Sequence, residues 1–539
     1  MAHLDGDALE SPSDNTCRHG VDLHAGPGKP PNRRRSSPCR IPLNRCARVV
    51  ASHTRYGLTR RHRRARVRVV GKSADLPDLT VRGGLVALES GLQAVDLGIR
   101  DGRIVAIGEP GMLPRGGEVV DAKGLHVLPG LVDAHVHVNL ALGEFTTRDS
   151  FAEASLAAAY GGTTTIVDFA VPGEKETPRD AIERRKEEAA GECYVDYSFH
   201  VTVARSLPEE VLAQLPPLIA EGFPTVKAFT VYRDLVMIEI GEVRTLMATL
   251  AGHGGLILVH AETASIIERA IAQCVSAGET SPAYHPVSRP PIAELDTVRS
   301  VIGFAEETRC PVFFVHLSTG AAPELLRDAH AKGLPVYGET CPQYLILDES
   351  LYAEDDGERF VCSPPVRSHG DRLRLWKGLA NRSLQMVNTD HCCYDTKQKT
   401  LHRDFFPDLP NGLPGVETRL RLLLTEGYAK GRLDLRRLVE LTAANPARLL
   451  GLYPRKGTIA VGSDADLVLV DLAREGTIRA ADLHQATDYT PYEGRPYKGD
   501  VVTTICRGVT VVHEGRSVGR RGHGRLLHRK IDHRELAAL

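Results

Sequence analysis

Gly130-Leu131-Val132-Asp133-Ala134-His135-Val136-His137 is a short apolar run that ends in two histidines one residue apart. Residues i and i+2 of a strand point to the same face. His135 and His137 can therefore grip one ion together while Val136 turns into packing. A lone His-x-His is more often structural than metal-binding. What raises its weight is the same context repeated downstream: Lys227, His260, His316 and Asp390 each sit in or close after a short β-branched apolar run. His200 also lies in such a run, but in its middle, and reads as structural.

Eight strand-like segments follow one another: 125–138, 163–170, 194–203, 225–232, 255–262, 311–318, 335–347 and 384–391. Between them lie Ala-, Leu-, Glu- and Arg-rich stretches bounded by Gly or Pro, including 180–190, 208–221, 242–252, 292–308 and 322–332, which read as helices. Strand–helix alternation repeated eight times predicts an α/β fold, a TIM-type (β/α)8 barrel of parallel strands. Chemistry in such barrels sits at the C-terminal strand ends. His135 and His137 come from strand one, Lys227 from strand four, His260 from strand five, His316 from strand six and Asp390 from strand eight. They would converge on one mouth.

Lys227 is the odd member, because Phe223-Pro224-Thr225-Val226-Lys227-Ala228-Phe229 is a setting hostile to an ammonium. Two readings stand open. The lysine snorkels or pairs with a carboxylate, or burial favours the neutral amine, which takes up carbon dioxide as a carbamate. A carbamate is an anion with two oxygens, able to bridge two metal ions.

Beyond the ligands stand Gly161-Gly162-Thr163-Thr164-Thr165, His260-Ala261-Glu262, Ser288-Arg289-Pro290-Pro291, Glu339-Thr340-Cys341-Pro342-Gln343-Tyr344-Leu345, Ser363-Pro364-Pro365-Val366-Arg367, Asn388-Thr389-Asp390-His391-Cys392 and Asn411-Gly412-Leu413-Pro414-Gly415. With these motifs the chain resembles the amidohydrolase superfamily over roughly residues 79–515, and within it the cyclic amidohydrolases of the D-hydantoinase/dihydropyrimidinase type. The resemblance implies two divalent metal ions. His135, His137 and Asp390 would hold one, His260 and His316 the other, with carboxylated Lys227 (N6-carboxylysine) and a hydroxide between them. Zinc suits the donors, and manganese, cobalt or iron are alternatives. Tyr232 would donate to the oxyanion, Asp390 would shuttle the proton, and Ser363 and Asn411 would hold the ring's ureide through main-chain groups. The reaction implied is opening of hydantoins or dihydropyrimidines to N-carbamoyl amino acids. An allantoinase-like or other cyclic ureide hydrolase is the runner-up, and a non-enzymatic dihydropyrimidinase-related scaffold the alternative from another class. The family also implies a homotetramer.

Val138-Asn139-Leu140-Ala141-Leu142-Gly143 carries no cation after the His-x-His, where a relative acting on a carboxylate substrate would need one. This loop and Arg233-Asp234-Leu235-Val236-Met237 are expected to line the pocket for the substituent outside the ring, favouring a neutral, hydrophobic group.

Segment 78–127 contains short alternating runs joined at Asp101-Gly102, and similar runs follow the barrel up to a turn at Glu514-Gly515. Residues 78–127 and 455–515 are expected to form one small β-sandwich from both chain ends, with the barrel at 128–454 and a basic tail at 516–539. That tail either packs on a neighbouring subunit or is solvated. Residues 1–77 are rich in Arg, Pro, Ser and His without apolar periodicity, so disorder is expected. This extension reads either as an electrostatic tether or, preferred here, as upstream sequence translated from an over-extended start. Its basic runs precede no apolar core, so it is neither an export signal nor a membrane span. The 67 basic residues balance 68 acidic ones, which argues against bulk attraction to nucleic acid. The 11 cysteines show no paired metal spacing and suit a reducing cytoplasm.

Overall fold

A computed structural model describes residues 76–114 and 116–539. The basic segment expected to be disordered lies almost wholly outside the described residues. Eight parallel strands form one curled sheet: β1 (Leu131–Val136), β2 (Thr163–Ala170), β3 (Asp196–Thr202), β4 (Thr225–Phe229), β5 (Leu256–His260), β6 (Val312–Phe314), β7 (Val336–Thr340) and β8 (Met386–Val387). They lie side by side in chain order. An isolated parallel bridge between Val136 and His391 brings the end of β1 to the chain just past β8. All eight residues of β2 are buried, as both faces of a helix-covered parallel sheet require.

Helices lie between the strands and begin where the sequence supplies caps. Ser150 accepts from the Glu153 amide while Glu153 reaches back, opening helix Phe151–Tyr160, and Thr177 with Asp180 does the same for Pro178–Ala189. The expected helix 322–332 runs Ala322–Ala331, whereas 208–221 divides into Glu209–Leu212 and Leu215–Glu221.

Four strand expectations need correction, the first being 311–318, of which only Val312–Phe314 is strand. The run 125–138 is two strands, His126–Pro129 and β1, in different sheets. The break is Gly130, where a Cβ would lie 2.3 Å from Thr164 Oγ1, and whose amide donates to Asp466 O. The run 335–347 stops at Thr340, and Pro342 opens a helical turn to Ile346. Only Met386 and Val387 of 384–391 pair as strand.

The flanking strands draw on both ends of the chain. Leu79–Arg82, Asp96–Arg100, Arg103–Gly108 and Glu118–Asp121 make a four-stranded sheet. A seven-stranded sheet joins Leu85–Leu88, Gly91–Ala94 and His126–Pro129 to Leu467–Thr477, Pro496–Cys506, Val509–His513 and Arg516–Ser517. Leu467 pairs with Pro129 and Val470 with His126. Leu79, Leu97 and Ile104 share one buried cluster with Leu467 and Ile505. The expected turns occur at Asp101-Gly102 and Glu514-Gly515, all four residues at positive φ, which is the two-residue hairpin geometry matched to strand twist.

Part of the C-terminal tail packs on this chain's own strands: Leu527, Arg529 and Ile531 are buried, while Val518, Arg520 and Arg521 are exposed. Leu527 donates to Tyr197 O, Arg529 N to Gly222 O, and the buried Arg529 guanidinium donates to Ser198 Oγ and Thr225 Oγ1. These contacts fall at the beginnings of β3 and β4, at the opposite ends of those strands from the candidate ligands.

A buried charge cluster ties the flanking strands to β3. Lys456 Nζ lies 2.6 Å from both Asp196 and Asp466 and 3.1 Å from Asp464, and Arg507 also reaches Asp196. Burial opposes the Lys456 ammonium, but Asp466 and Asp196 outweigh it and raise its pKa. Burial likewise pushes Asp196 up, and Lys456 with Arg507 overcomes it to hold the carboxylate low. Removing one partner of a buried network strands the others. Lys456→Met should therefore cost about 3–5 kcal/mol, read as a lower urea midpoint at unchanged slope. A loss below about 1 kcal/mol would mean that solvent screens the cluster.

Candidate metal centre and active site

The C-terminal ends of the strands present the site. His135 and His137 leave β1 on one face, Lys227 lies in β4, His260 closes β5, His316 follows β6 by two residues and Asp390 follows β8 by three. Strand register sets their level: Phe229 pairs with His260, and Lys227 with Leu258. His316, Asp390 and Tyr232 all have positive φ, at 41°, 52° and 67°. Non-glycine residues held there cost strain and cluster at functional sites.

The side chains converge. His135 Nε2 lies 3.0 Å and His137 Nε2 3.2 Å from Asp390 Oδ1. The rings of His260 and His316 are 4.4 Å apart, and those of His135 and His316 5.4 Å. One ligand atom from each of His135, His316 and Asp390 fits within 4.8 Å of the others. His135 Nε2 and Lys227 Nζ are buried yet have no hydrogen-bond partner. Buried polar atoms seldom go unpaired. Nitrogens and a carboxylate oxygen that approach without hydrogen-bond geometry are arranged as ligands of a common cation are, so the residues fit a divalent metal site.

Outer contacts orient these ligands. Glu339 accepts from His135 Nδ1 at 2.5 Å, from the His316 amide at 3.0 Å and from Asn388 Nδ2 at 2.5 Å. With Nδ1 so held, Nε2 of His135 faces the centre. Glu262 does the opposite for His260, accepting from Nε2 at 2.7 Å and from Arg289 at 2.7 Å, which leaves Nδ1 to face the centre. Carboxylates placed this way fix tautomer and basicity. Sequence reasoning quoted Glu262, Arg289 and Glu339 within motifs but assigned them no role.

Electrostatics follow from the same contacts. Burial lowers the Lys227 amine to about 8, although Asp390 and Glu339 oppose it. Phe169 and Phe229, with ring centroids 5.0 and 4.6 Å from Nζ, flank it. Burial lowers His137 to about 4 and takes His316 well below its ordinary value, so both are neutral and competent as ligands. His135 goes the other way: Asp390 and Glu339 overcome its burial and raise it to about 9. Two carboxylates thus draw positive charge to this point.

A cavity of about 310 Å³ opens over the centre. Lys227, His137, His260, His316 and Asp390 line it together with Tyr232, Ser363 and Asn411, and His135 lies fully buried beneath. Ser363 Oγ donates to Asn411 Oδ1 at 2.8 Å. Burial pushes the Tyr232 hydroxyl up to about 12, with Arg289 opposing, so it remains a proton donor. Both expected loops line the cavity. The first is a small hairpin, Ala141–Leu142 with Phe145–Thr146, that presents Leu142 and Phe145, and the second presents Leu235 and Val236.

A neighbouring group, Asp149 with His391 and Cys393, has metal-like spacing but is a closed hydrogen-bond network. His391 Nδ1 accepts from the Gly415 and Val416 amides, so its Nε2 donates to Asp149. Neither nitrogen is left for an ion. His200 is also structural, bonded to Thr225 Oγ1 and Ala134 O.

Comparison with known proteins agrees with this geometry. Residues 126–511 match the model of the amidohydrolase family. A D-hydantoinase from Geobacillus stearothermophilus is 38% identical over 453 residues, covering 83% of this chain and 96% of that relative. One from Streptomyces coelicolor is 40% identical over 452 residues, covering 82% and 96%. Among solved structures, a dihydropyrimidinase from Brevibacillus agri superposes with a TM-score of 0.82 at 37% identity, covering 84% of this chain and 98% of that one.

Proposed function

We propose that this chain, which belongs to the amidohydrolase family, is a metal-dependent hydrolase that opens the cyclic amide bond of hydantoins and dihydropyrimidines to give N-carbamoyl amino acids. The observation that carries the reading is the convergence of His135 Nε2, Lys227 Nζ and Asp390 Oδ1, with Lys227 Nζ buried and without a hydrogen-bond partner, under a cavity that also holds Tyr232, Ser363 and Asn411. His135, His137 and Asp390 would hold one divalent ion and His260 with His316 a second, with Lys227 between them as a carbamate. Zinc suits imidazole and carboxylate donors best. Such ions would supply a hydroxide at neutral pH and polarise the ring carbonyl.

The chain's own residues supply the rest. Tyr232 donates its O–H to the carbonyl oxygen as that atom gains charge. Asp390 takes the proton of the attacking water and returns it to the departing ring nitrogen. The backbones at Ser363 and Asn411 hold the ureide. Leu142, Phe145, Leu235 and Val236 form an apolar wall for the substituent outside the ring. The architecture behind this site reads as a closed (β/α)8 barrel over 128–454, supported by the Val136–His391 bridge. Residues 78–127 and 455–515 read as its β-sandwich, supported by their shared sheet.

Among the described residues, Lys227 is the only lysine or arginine lining the cavity, which also has Glu144 and Asp408 along it. A carboxylate on the substrate would meet like charge, at a cost of several kcal/mol. Zinc-loaded protein should open 5-phenylhydantoin and dihydrouracil, with dihydroorotate at least ~10²-fold poorer in kcat/KM than dihydrouracil. The panel should also include allantoin. Preference for allantoin or dihydroorotate would overturn the substrate assignment, and no turnover with two ions bound would remove these rings altogether.

A further inference from the structure

Two lysines are fully buried near the cavity, and their surroundings differ. Lys227 Nζ has no hydrogen-bond partner. Lys399 Nζ donates to Val361 O at 2.7 Å and to Pro410 O at 2.8 Å. Among the described residues no carboxylate lies within ion-pair distance of Lys399. A carbamate on this nitrogen would set an anion against two carbonyl oxygens, so the chemistry proposed for Lys227 is closed to Lys399. Burying an ammonium without a counter-charge is costly. Burial lowers Lys399 to about 7. Its contacts are these two carbonyls and, at 5.8 Å from the ring centroid, Tyr394, and only the carbonyls are close enough to hold it.

Those carbonyls belong to the two segments that reach the substrate cavity. Val361 precedes Ser363 by two residues, and Pro410 precedes Asn411 by one. The segments touch twice more, through Gly412 N donating to Val361 O at 3.1 Å and Ser363 Oγ donating to Asn411 Oδ1. The second segment is also packed on the chain after β8, where a Cβ on Gly412 would lie 2.7 Å from Cys392 O. Lys399 sits beneath this crossing on the short helix Thr396–Thr400. From the same helix Gln398 Nε2 donates to Thr146 O in the hairpin at the cavity wall.

We infer that Lys399 is a positioning residue whose two hydrogen bonds tie the chain at Val361 to the chain at Pro410 and so set the spacing of the Ser363 and Asn411 backbones. The inference rests on the proposed function only in saying that those backbones hold a ring. Two N–H donors from one nitrogen to two carbonyls fix the distance between them whether or not the amine is charged, and an error of about 1 Å in a holding group costs ~10²-fold in rate. Lys399→Met keeps the side-chain length and removes both donors. Lys399→Gln restores part of the donor capacity on a shorter arm.

The test is amide hydrogen exchange read by mass spectrometry on full-length wild type and both variants, with metal content and steady-state kinetics on 5-phenylhydantoin. In Lys399→Met, exchange at 361–363 and 411–412 should quicken about tenfold or more. KM should rise about tenfold or more with a smaller fall in kcat, and metal content should stay at the wild-type value. Lys399→Gln should fall between. Unchanged exchange at Gly412 in a folded variant overturns the inference, whatever rings the wild type opens. Quickened exchange with unchanged KM overturns the positioning role. If the wild type opens no ring while exchange still quickens, the proposed function fails and the tie between the segments stands. If Lys399→Met does not fold, the same readings apply to Lys399→Gln.

Discussion

Lys227→Ala should lower ring-opening activity by at least ~10³-fold, equivalent to about 4 kcal/mol of barrier, and should purify with less metal than the wild type. The reason lies in what surrounds the amine. Lys227 is buried among histidines, beside an aromatic pair, with no hydrogen-bond partner and no ion pair among the described residues. Full burial, and the lack of any carboxylate within ion-pair distance among the described residues, support the neutral amine over a lysine that snorkels or pairs. With its pKa lowered to about 8, roughly a tenth of the amine is neutral at pH 7. That fraction can take up carbon dioxide. A carbamate replaces a cation that repels metal ions with an anion that holds them. Metal uptake by metal-stripped protein should then quicken with added bicarbonate, and quicken further as pH rises towards 8, because the neutral fraction grows in that direction. Lys227→Arg keeps a positive charge and cannot form the carbamate, so it should fail as alanine does. Near-normal metal content and rate in Lys227→Arg would sink the carbamate.

The parts of this molecule legible from sequence are those where a residue type and its strand context carry the message together. β2 runs Thr163–Ala170 as read, because its β-branched run Thr163–Val167 sets the strand and its one charge, Asp168, is met by Arg185. His135, His137, His260 and His316 were legible because histidines recurring at strand ends are rare and share one chemistry. Boundaries failed where a long-range contact decides them. Gly130 ends one strand and begins another because Thr164 and Asp466 crowd it, and neither neighbour is visible in the local sequence. Glu339 was missed although strand seven was the place to look. That strand carries no ligand, and a buried Glu at its end, level with the histidines, signals an orienting contact. Lys399 was hidden more thoroughly, since Lys397-Gln398-Lys399 reads as solvated polar sequence. Only the fold shows that one of these lysines is fully buried. The positive φ of His316, Asp390 and Tyr232 has no sequence mark, because each is set by the surrounding chain against the residue's own preference.

The second large effect is expected at Asp390, and it separates holding a metal from moving a proton. The other carboxylates around the centre are committed. Glu339 is taken by His135, His316 and Asn388, Glu262 by His260 and Arg289, Asp133 by Thr389 and the His135 amide, and Asp149 by His391, Cys393 and Ala486. Of these five acids Asp390 alone lines the cavity. Burial pushes its carboxyl up, but His135 and His137 overcome that and hold it well below the usual carboxylate range. An acid that is ionised, faces the cavity and stands at the strand end is placed to receive the water's proton and return it to the leaving nitrogen. Asp390→Asn keeps an oxygen to face a metal ion and loses the base. Turnover should drop by ~10²–10⁴-fold, the span expected for a general base, with both ions retained and KM within a few-fold of wild type. Asp390→Ala should add loss of metal, because the oxygen goes too. If Asp390→Asn instead turns over within tenfold of wild type with its ions in place, the proton travels by another group, and Tyr232, which lines the same cavity, becomes the residue to vary.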